Sequence, residues 1–209
     1  MVDGPLIIGV TMGDPAGIGP EIGAKLLSAR CQDQEIYPVM IGSAEALGVA
    51  LKLIGIDAHL NVLSEFDPHN LQPGAINVYD PGALNITDVV VGQLDELAGE
   101  ASMLYNRQGA ELAMTGQIHG LVTLPVTKAS TKLAGYDYPG QAEYFAKLAG
   151  NLPFTTILIY RDFRAALFTT HMPLIEACSM VNKDNLLNKI KYLHAKRLDV
   201  GFPNLRLAI

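Results

Sequence analysis

Leu6-Ile7-Ile8-Gly9-Val10-Thr11 is apolar without alternation, the pattern of a strand buried on both faces of a parallel sheet. A loop rich in glycine and proline follows. Pro20-Glu21 then opens a helix to about Ala29, because proline and an acid both suit a first helical turn. Residues 37–42 read as a second strand. Ser43 stands where it can cap the next helix, whose Ala46, Leu47, Ala50, Leu51 and Ile54 share a face before Gly55 ends it.

Residues 56–91 are less regular, with short apolar stretches near 60–63 and 75–79. Asp67-Pro68, Gln72-Pro73-Gly74 and Asp80-Pro81-Gly82 are turn signals, so this part reads as an excursion with room for a small second lobe. Helical spacing returns over 93–117, where Leu94, Leu97, Ala98, Ala101, Leu104, Leu112 and Ala113 fall near one face. A short strand over 120–124 is ended by Pro125, and helices are predicted at 126–134 and 141–149. Two β-type runs, 155–160 and 164–168, flank the turn Arg161-Asp162. A last helix over 182–196 carries Leu186, Leu187, Ile190 and Leu193. The strand–helix alternation predicts an α/β fold, a mainly parallel sheet with helices on both faces. A strand-like run at 205–209 with no helix after it leads to the expectation that the fold is incomplete at its C-terminus.

Composition narrows the function classes. At 209 residues the chain suffices for one large domain or two small ones, and 49% hydrophobic with 17% charged residues excludes intrinsic disorder. Its 15 basic residues are spread along a chain of net charge -6, which argues against nucleic acid or an acidic membrane as partner. Cys31 and Cys178 are a poor disulfide framework for this length, the N-terminus lacks a basic leader pattern, and no apolar run approaches the ~20 residues of a membrane helix. The expectation is a cytoplasmic protein.

Four segments can carry chemistry. The loop 12–19 sits between a strand and a helix N-terminus, where free amides attract anions, but it is neither a P-loop nor a dinucleotide fingerprint. Its Asp14 either meets a substrate hydroxyl or caps the turn. Thr123-Leu124-Pro125-Val126-Thr127-Lys128 lies at a strand's carboxyl end, where Lys128 either offers a cation to a ligand or is a solvated first-turn lysine. Tyr138-Pro139-Gly140-Gln141-Ala142-Glu143 is a second loop-to-helix junction. In Thr169-Thr170-His171-Met172-Pro173-Leu174, a histidine sits where a strand breaks into a loop; it suits a metal ligand or an acid–base group, yet no second histidine pairs with it by spacing.

Together and in this order, the four segments resemble the 4-hydroxythreonine-4-phosphate dehydrogenase family. Residues 9–21, Gly-Val-Thr-Met-Gly-Asp-Pro-Ala-Gly-Ile-Gly-Pro-Glu, are the long match; 123–128 resembles that family's Thr-Ala-Pro-Ile-Asn-Lys, and 169–174 its Thr-Thr-His-Leu-Pro-Leu. The resemblance covers the whole chain but only the amino-terminal part of such an enzyme. It implies an isocitrate/isopropylmalate-dehydrogenase-like three-layer α/β fold, a homodimer, and a place in pyridoxine biosynthesis. It also implies NAD(P)-dependent oxidation of a small hydroxy acid phosphate with decarboxylation, assisted by a divalent metal (zinc, magnesium or cobalt) on three histidines. His171 matches the first of these; the other two belong to later segments, so the chain by itself is expected to be inactive.

One departure bears on substrate. Where the family reads Gly-His-Thr-Glu, this chain has Gly140-Gln141-Ala142-Glu143. Gln141 keeps hydrogen bonding without becoming cationic, and Ala142 lacks a hydroxyl. By position Gln141, Ala142, Lys128 and Asp14 are the substrate-binding candidates and His171 the metal candidate. No catalytic residue is assigned. The departure opens alternatives to 4-hydroxythreonine 4-phosphate: threonate or erythronate phosphate, a dihydrodiol carboxylate, or a non-catalytic relative that binds an anion.

Overall fold

The computed structural model describes residues 4–82, 84–198, 201, 202, 204 and 206–209. The chain divides into two compact units, Met1–Leu152 and Pro153–Ile209.

In the first unit the elements run β1 Leu6–Thr11, α1 Gly19–Arg30, β2 Ile36–Ile41, α2 Ala44–Leu53, β3 Leu60–Leu63, β4 Ile76–Tyr79, α3 Glu96–Met114, β5 Gly120–Thr123, α4 Lys128–Leu133 and α5 Gln141–Leu148. Among the described residues β1 to β5 form one sheet in the order β3-β4-β2-β1-β5, every pairing parallel. The stretch expected to carry a small lobe therefore supplies β3 and β4 to the main sheet. Its strands are only four residues long, too short to show an alternation, and the turns between them masked the pattern. A buried amide ties this part together: Asn77 Oδ1 accepts from Asn61 Nδ2 and the Gln72 amide, both at 2.8 Å.

Helices cover both faces. In the β1–β2 register Val10 pairs with Met40 and Thr11 with Ile41, so Thr11 and Met40 point to opposite sides. A Cβ on Gly23 of α1 would meet Met40 Cε, and one on Gly109 of α3 would meet Thr11 Cγ2. Val10, Met12, Leu27, Val39, Met40, Ile41, Leu47, Ile76, Val78 and Tyr105 form the fully buried centre. Burial in β1 and β2 rises toward the carboxyl ends, so the loops that follow them rest on a rigid floor.

Helix α3 begins where the Asp95 carboxylate accepts from the Ala98 amide, and Gly116, at φ +74°, turns the chain after its end. Its buried face differs from the one drawn through the large apolar residues. Leu94 and Leu97 are exposed, whereas Ala98, Ala101, Ser102, Tyr105, Asn106, Gly109 and Leu112 are buried. The helix approaches α4 so closely that a Cβ on Gly99 would lie 2.1 Å from the Ser130 carbonyl oxygen. A close seam selects small residues, which hydrophobic spacing undervalues.

The second unit holds the antiparallel pair β6 Ile157–Tyr160 and β7 Phe163–Ala166, then α6 Leu174–Met180 and α7 Lys183–Lys196. Arg161, at φ +50°, makes the tight turn between the two strands, and Asn182 caps α7 by accepting from the Asn185 amide. Helix α6 was not predicted; it is seven residues long and buries none of them, so it shows no amphipathic spacing. Residues 206–209 are not in a strand; Leu205, where the strand-like run was expected to begin, lies outside the described residues.

Two glycine substitutions separate close packing from helix propensity. Gly99→Ala forces backbone apart and is expected to lower stability by about 1–3 kcal/mol. Gly48→Ala, in α2, meets nothing within 4 Å and is expected to raise stability by about 0.5–1 kcal/mol. Urea-unfolding midpoints of the two variants check the opposite signs.

Candidate functional site

The chain leaves β1 for β2 on one side and reaches β5 on the other. The carboxyl ends of β1 and β5 therefore flank the point where strand order reverses, the place where an open parallel sheet forms its ligand crevice. The loops after these two strands are joined by backbone: Leu124 N donates to Thr11 O at 3.1 Å and Asp14 N to Pro125 O at 2.9 Å. Gly13 makes this possible. It sits at φ +70°, and a Cβ there would lie 2.1 Å from the Pro125 carbonyl oxygen.

Four amides of the glycine-rich loop have partners within the chain. Met12 N donates to Ile41 O, Asp14 N to Pro125 O, Gly17 N to Asp14 O, and Ala16 N to the Asp14 carboxylate at 2.9 Å. Asp14 is 3% exposed. These four amides are turned inward on acceptors of the chain itself. Beneath the loop, Thr11 Oγ1 donates to Asn106 Oδ1 at 2.8 Å, with both residues fully buried. A polar pin thus lies beneath the loop.

The third predicted segment closes on the second. Lys128 Nζ donates to the Pro139 carbonyl, and Gln141 Nε2 to the Leu124 carbonyl at 3.4 Å. Between them lies a cleft of about 280 Å³. Lys128 and Gln141 line it together with Tyr136, Tyr138, Tyr144 and Met103. The Tyr138 and Tyr144 rings meet edge to face at 5.0 Å, and Lys147 Nζ donates to the Tyr138 hydroxyl at 2.9 Å. Two acceptors in the first turn of α5, Gln141 Oε1 and Glu143 Oε2, are buried without a partner. Ala142, between them, is exposed.

Of the sequence candidates, the structure joins Asp14 to the 124–128 segment through backbone and brings Lys128 and Gln141 into one cleft. His171 belongs to the second unit, in the loop between β7 and α6, exposed and at φ +53°. Such a backbone angle is uncommon for a residue with a side chain; Asn151 and Arg161 share it here. Among the described residues no three His, Cys, Asp or Glu side chains gather as a metal site. One imidazole fills one of the four or more positions a zinc or magnesium ion requires, so these residues alone do not fit a metal centre.

The tyrosines were missed. Tyr136 and Tyr138, two apart in a loop, and Tyr144, inside α5, carry no shared period; only the fold makes them one wall. Tyr144 is 5% exposed and its hydroxyl donates to Met103 O at 3.4 Å. Burial, with the nearby Tyr136 adding to it, pushes its pKa from 10.0 up to about 12.

Comparison with known proteins places these features in a family. The family described as pyridoxal phosphate biosynthetic protein PdxA matches residues 34–209. A Symbiobacterium thermophilum protein, provisionally named a D-threonate 4-phosphate dehydrogenase, is 31% identical over 207 residues, 97% of this chain and 61% of its own. The 4-hydroxythreonine-4-phosphate dehydrogenase of Aquifex aeolicus is 31% identical over 192 residues, 92% of this chain and 58% of its own. The crystal structure of the Klebsiella pneumoniae 4-hydroxythreonine-4-phosphate dehydrogenase superposes with a TM-score of 0.85 at 29% identity, covering 98% of this chain and 62% of that one. The fold is the isocitrate/isopropylmalate-dehydrogenase-like α/β fold. The chain spans about 60% of the length of the curated relatives it matches.

The raised Tyr144 pKa gives a signed pH dependence. Below pH 10 the hydroxyl is neutral in both folded and unfolded chains, and its contribution is complete. Between pH 10 and about 12 the unfolded chain loses this proton while the folded chain keeps it, so stability falls as pH rises. Tyr144→Phe is expected to show a shallower fall over that window, measured by urea unfolding at several pH values.

Proposed function

The chain belongs to the family of the pyridoxal phosphate biosynthetic protein PdxA, and we propose that it forms the substrate-holding part of an oxidoreductase acting on a small hydroxy acid phosphate. The observation that carries this reading is the cleft at the sheet's reversal point, where Lys128 and Gln141 stand together. Lys128 keeps two N–H donors after binding the Pro139 carbonyl and meets the anionic end of the substrate. Four amides of the glycine loop already rest on acceptors of the chain itself, and Asp14 holds that loop in shape.

NAD or NADP accepts the hydride in this proposal, with decarboxylation following oxidation, and a divalent metal (zinc, magnesium or cobalt) takes part. Among the described residues His171 is the imidazole the chain offers to that metal. The relatives' names support two substrates, D-threonate 4-phosphate and 4-hydroxythreonine 4-phosphate. The second of these ties the protein to pyridoxine biosynthesis. A cytoplasmic homodimer fits the two free cysteines and the exposed Leu158, Ile159, Tyr160 and Phe163 on the β6–β7 hairpin.

The test is absorbance at the reduced-nicotinamide wavelength in the complete gene product with NAD+ or NADP+. Each divalent metal is supplied in turn with threonate, erythronate and hydroxythreonine phosphates and a terephthalate-type dihydrodiol carboxylate. Turnover of a phosphorylated hydroxy acid is expected. Lys128→Met is expected to raise KM for it about tenfold or more, as loss of a charged hydrogen bond does. Binding without turnover would favour a non-catalytic anion-binding relative, and turnover of the dihydrodiol alone would remove phosphate from the proposal.

A further inference from the structure

We propose that the Tyr138 hydroxyl is an anion-binding donor of this cleft, and that Lys147 is the positioning residue that holds it. This rests on the functional reading above and adds two residues to it. Tyr138 lines the cleft and is half-buried; Lys147, on α5, is exposed and lies outside the lining. Lys147 Nζ donates to the Tyr138 oxygen at 2.9 Å, so the single hydrogen of that hydroxyl is left for another acceptor. Among the described residues it has none. An oxygen that accepts from an ammonium is polarised, which makes its own O–H the stronger donor. The ring is held as well, edge to face on Tyr144, whose hydroxyl is fixed on Met103 O.

The charges around this loop point to an anion. Three lysines converge on residues 137–139: Lys132 on the Asp137 carboxylate at 3.4 Å, Lys128 on the Pro139 carbonyl, and Lys147 on Tyr138. The first meets a carboxylate, whereas Lys128 and Lys147 each meet a neutral oxygen. Among the described residues neither of these two forms an ion pair, and Glu143, one turn before Lys147, does not reach it. In a chain of net charge -6 the loop is thus a local excess of positive charge. The cleft, at about 280 Å³, falls just under the roughly 300–1,000 Å³ of ligand pockets, so it suits a small anionic group. Lys128 Nζ touches the carbonyl of the residue next to Tyr138. A phosphate or carboxylate, with several acceptor oxygens, takes donors from both. Tyr136, on the same wall, also has a hydroxyl without a hydrogen-bond partner among the described residues, but no cation is bound to it.

The experiment measures KM and kcat for threonate 4-phosphate in the complete protein, and competitive inhibition by inorganic phosphate and by threonate. The variants are Tyr138→Phe, Tyr136→Phe, Lys147→Met, Lys147→Arg and the double variant Tyr138→Phe with Lys147→Met, each checked by a melting curve. Tyr138→Phe keeps the ring and is expected to raise KM and at least one inhibition constant about tenfold, the loss falling on KM and not on kcat. Lys147→Met is expected to raise KM less, and Lys147→Arg to restore it. The double variant is expected to match Tyr138→Phe alone, because Lys147 acts through that hydroxyl. Weaker inhibition by phosphate assigns the hydroxyl to the phosphate end of the substrate, weaker inhibition by threonate to the carboxylate end, and either sustains the proposal. Unchanged constants in Tyr138→Phe, a Lys147→Met loss that persists in full beside Tyr138→Phe, or a larger loss in Tyr136→Phe overturns it; if Tyr138→Phe does not fold, the two Lys147 variants decide. If the unaltered protein neither turns over threonate 4-phosphate nor binds it in calorimetry, the functional reading fails first and this inference with it.

Discussion

Two loops more than a hundred residues apart share a backbone contact that a side chain would forbid. The amide of Asp14 reaches the carbonyl of Pro125 because Gly13 has no Cβ to strike that oxygen. A second close approach stands behind it: a Cβ on Gly19 would lie 2.0 Å from the Met12 carbonyl oxygen, so the start of α1 is drawn tight under the loop. Through these contacts the end of β1 is locked to the end of β5, and α1 to both. The cleft between the 124–128 and 136–141 segments takes its shape from that lock, since Gln141 binds the Leu124 carbonyl one residue before the shared Pro125.

The same contact determines what the glycine loop does chemically. A glycine-rich turn before a helix presents amides, and whether they serve a ligand or the fold depends on what else lies within reach. Here carbonyls of β2 and of the 125 position, and the loop's own aspartate, reach them first. In the cleft, Lys128 retains N–H donors beyond the one bound to Pro139 and Gln141 Oε1 is without a partner. In the second unit, His171 occupies an exposed, left-handed position, as Arg161 does in the β6–β7 turn.

Much of the fold was legible in the sequence because the strong signals are local. The unbroken apolar runs of β1 and β2 identified buried parallel strands. The cap at Ser43 marked the start of α2, and the helical run over 182–196 placed the start of α7 to within a residue. Less was legible where an element is short or where packing selects small residues. β3 and β4 offer four residues each, and the buried face of α3 adds Ser102, Asn106 and Gly109 to the expected Ala98, Ala101 and Leu112 while leaving Leu97 exposed.

The sequence by itself determined the α/β class, most of the order of elements, and the candidate segments for chemistry, since periodicity, caps and glycine-rich turns depend on neighbours along the chain. It also placed Lys128 and Gln141 at the starts of helices. Only the tertiary structure decided that these two face one cleft, that three tyrosines without a common period form its wall, and that four amides of the glycine loop are already engaged. Those facts depend on which carbonyl or ring lies across a gap of a few ångströms, a distance set by packing between distant segments and not by any spacing within one.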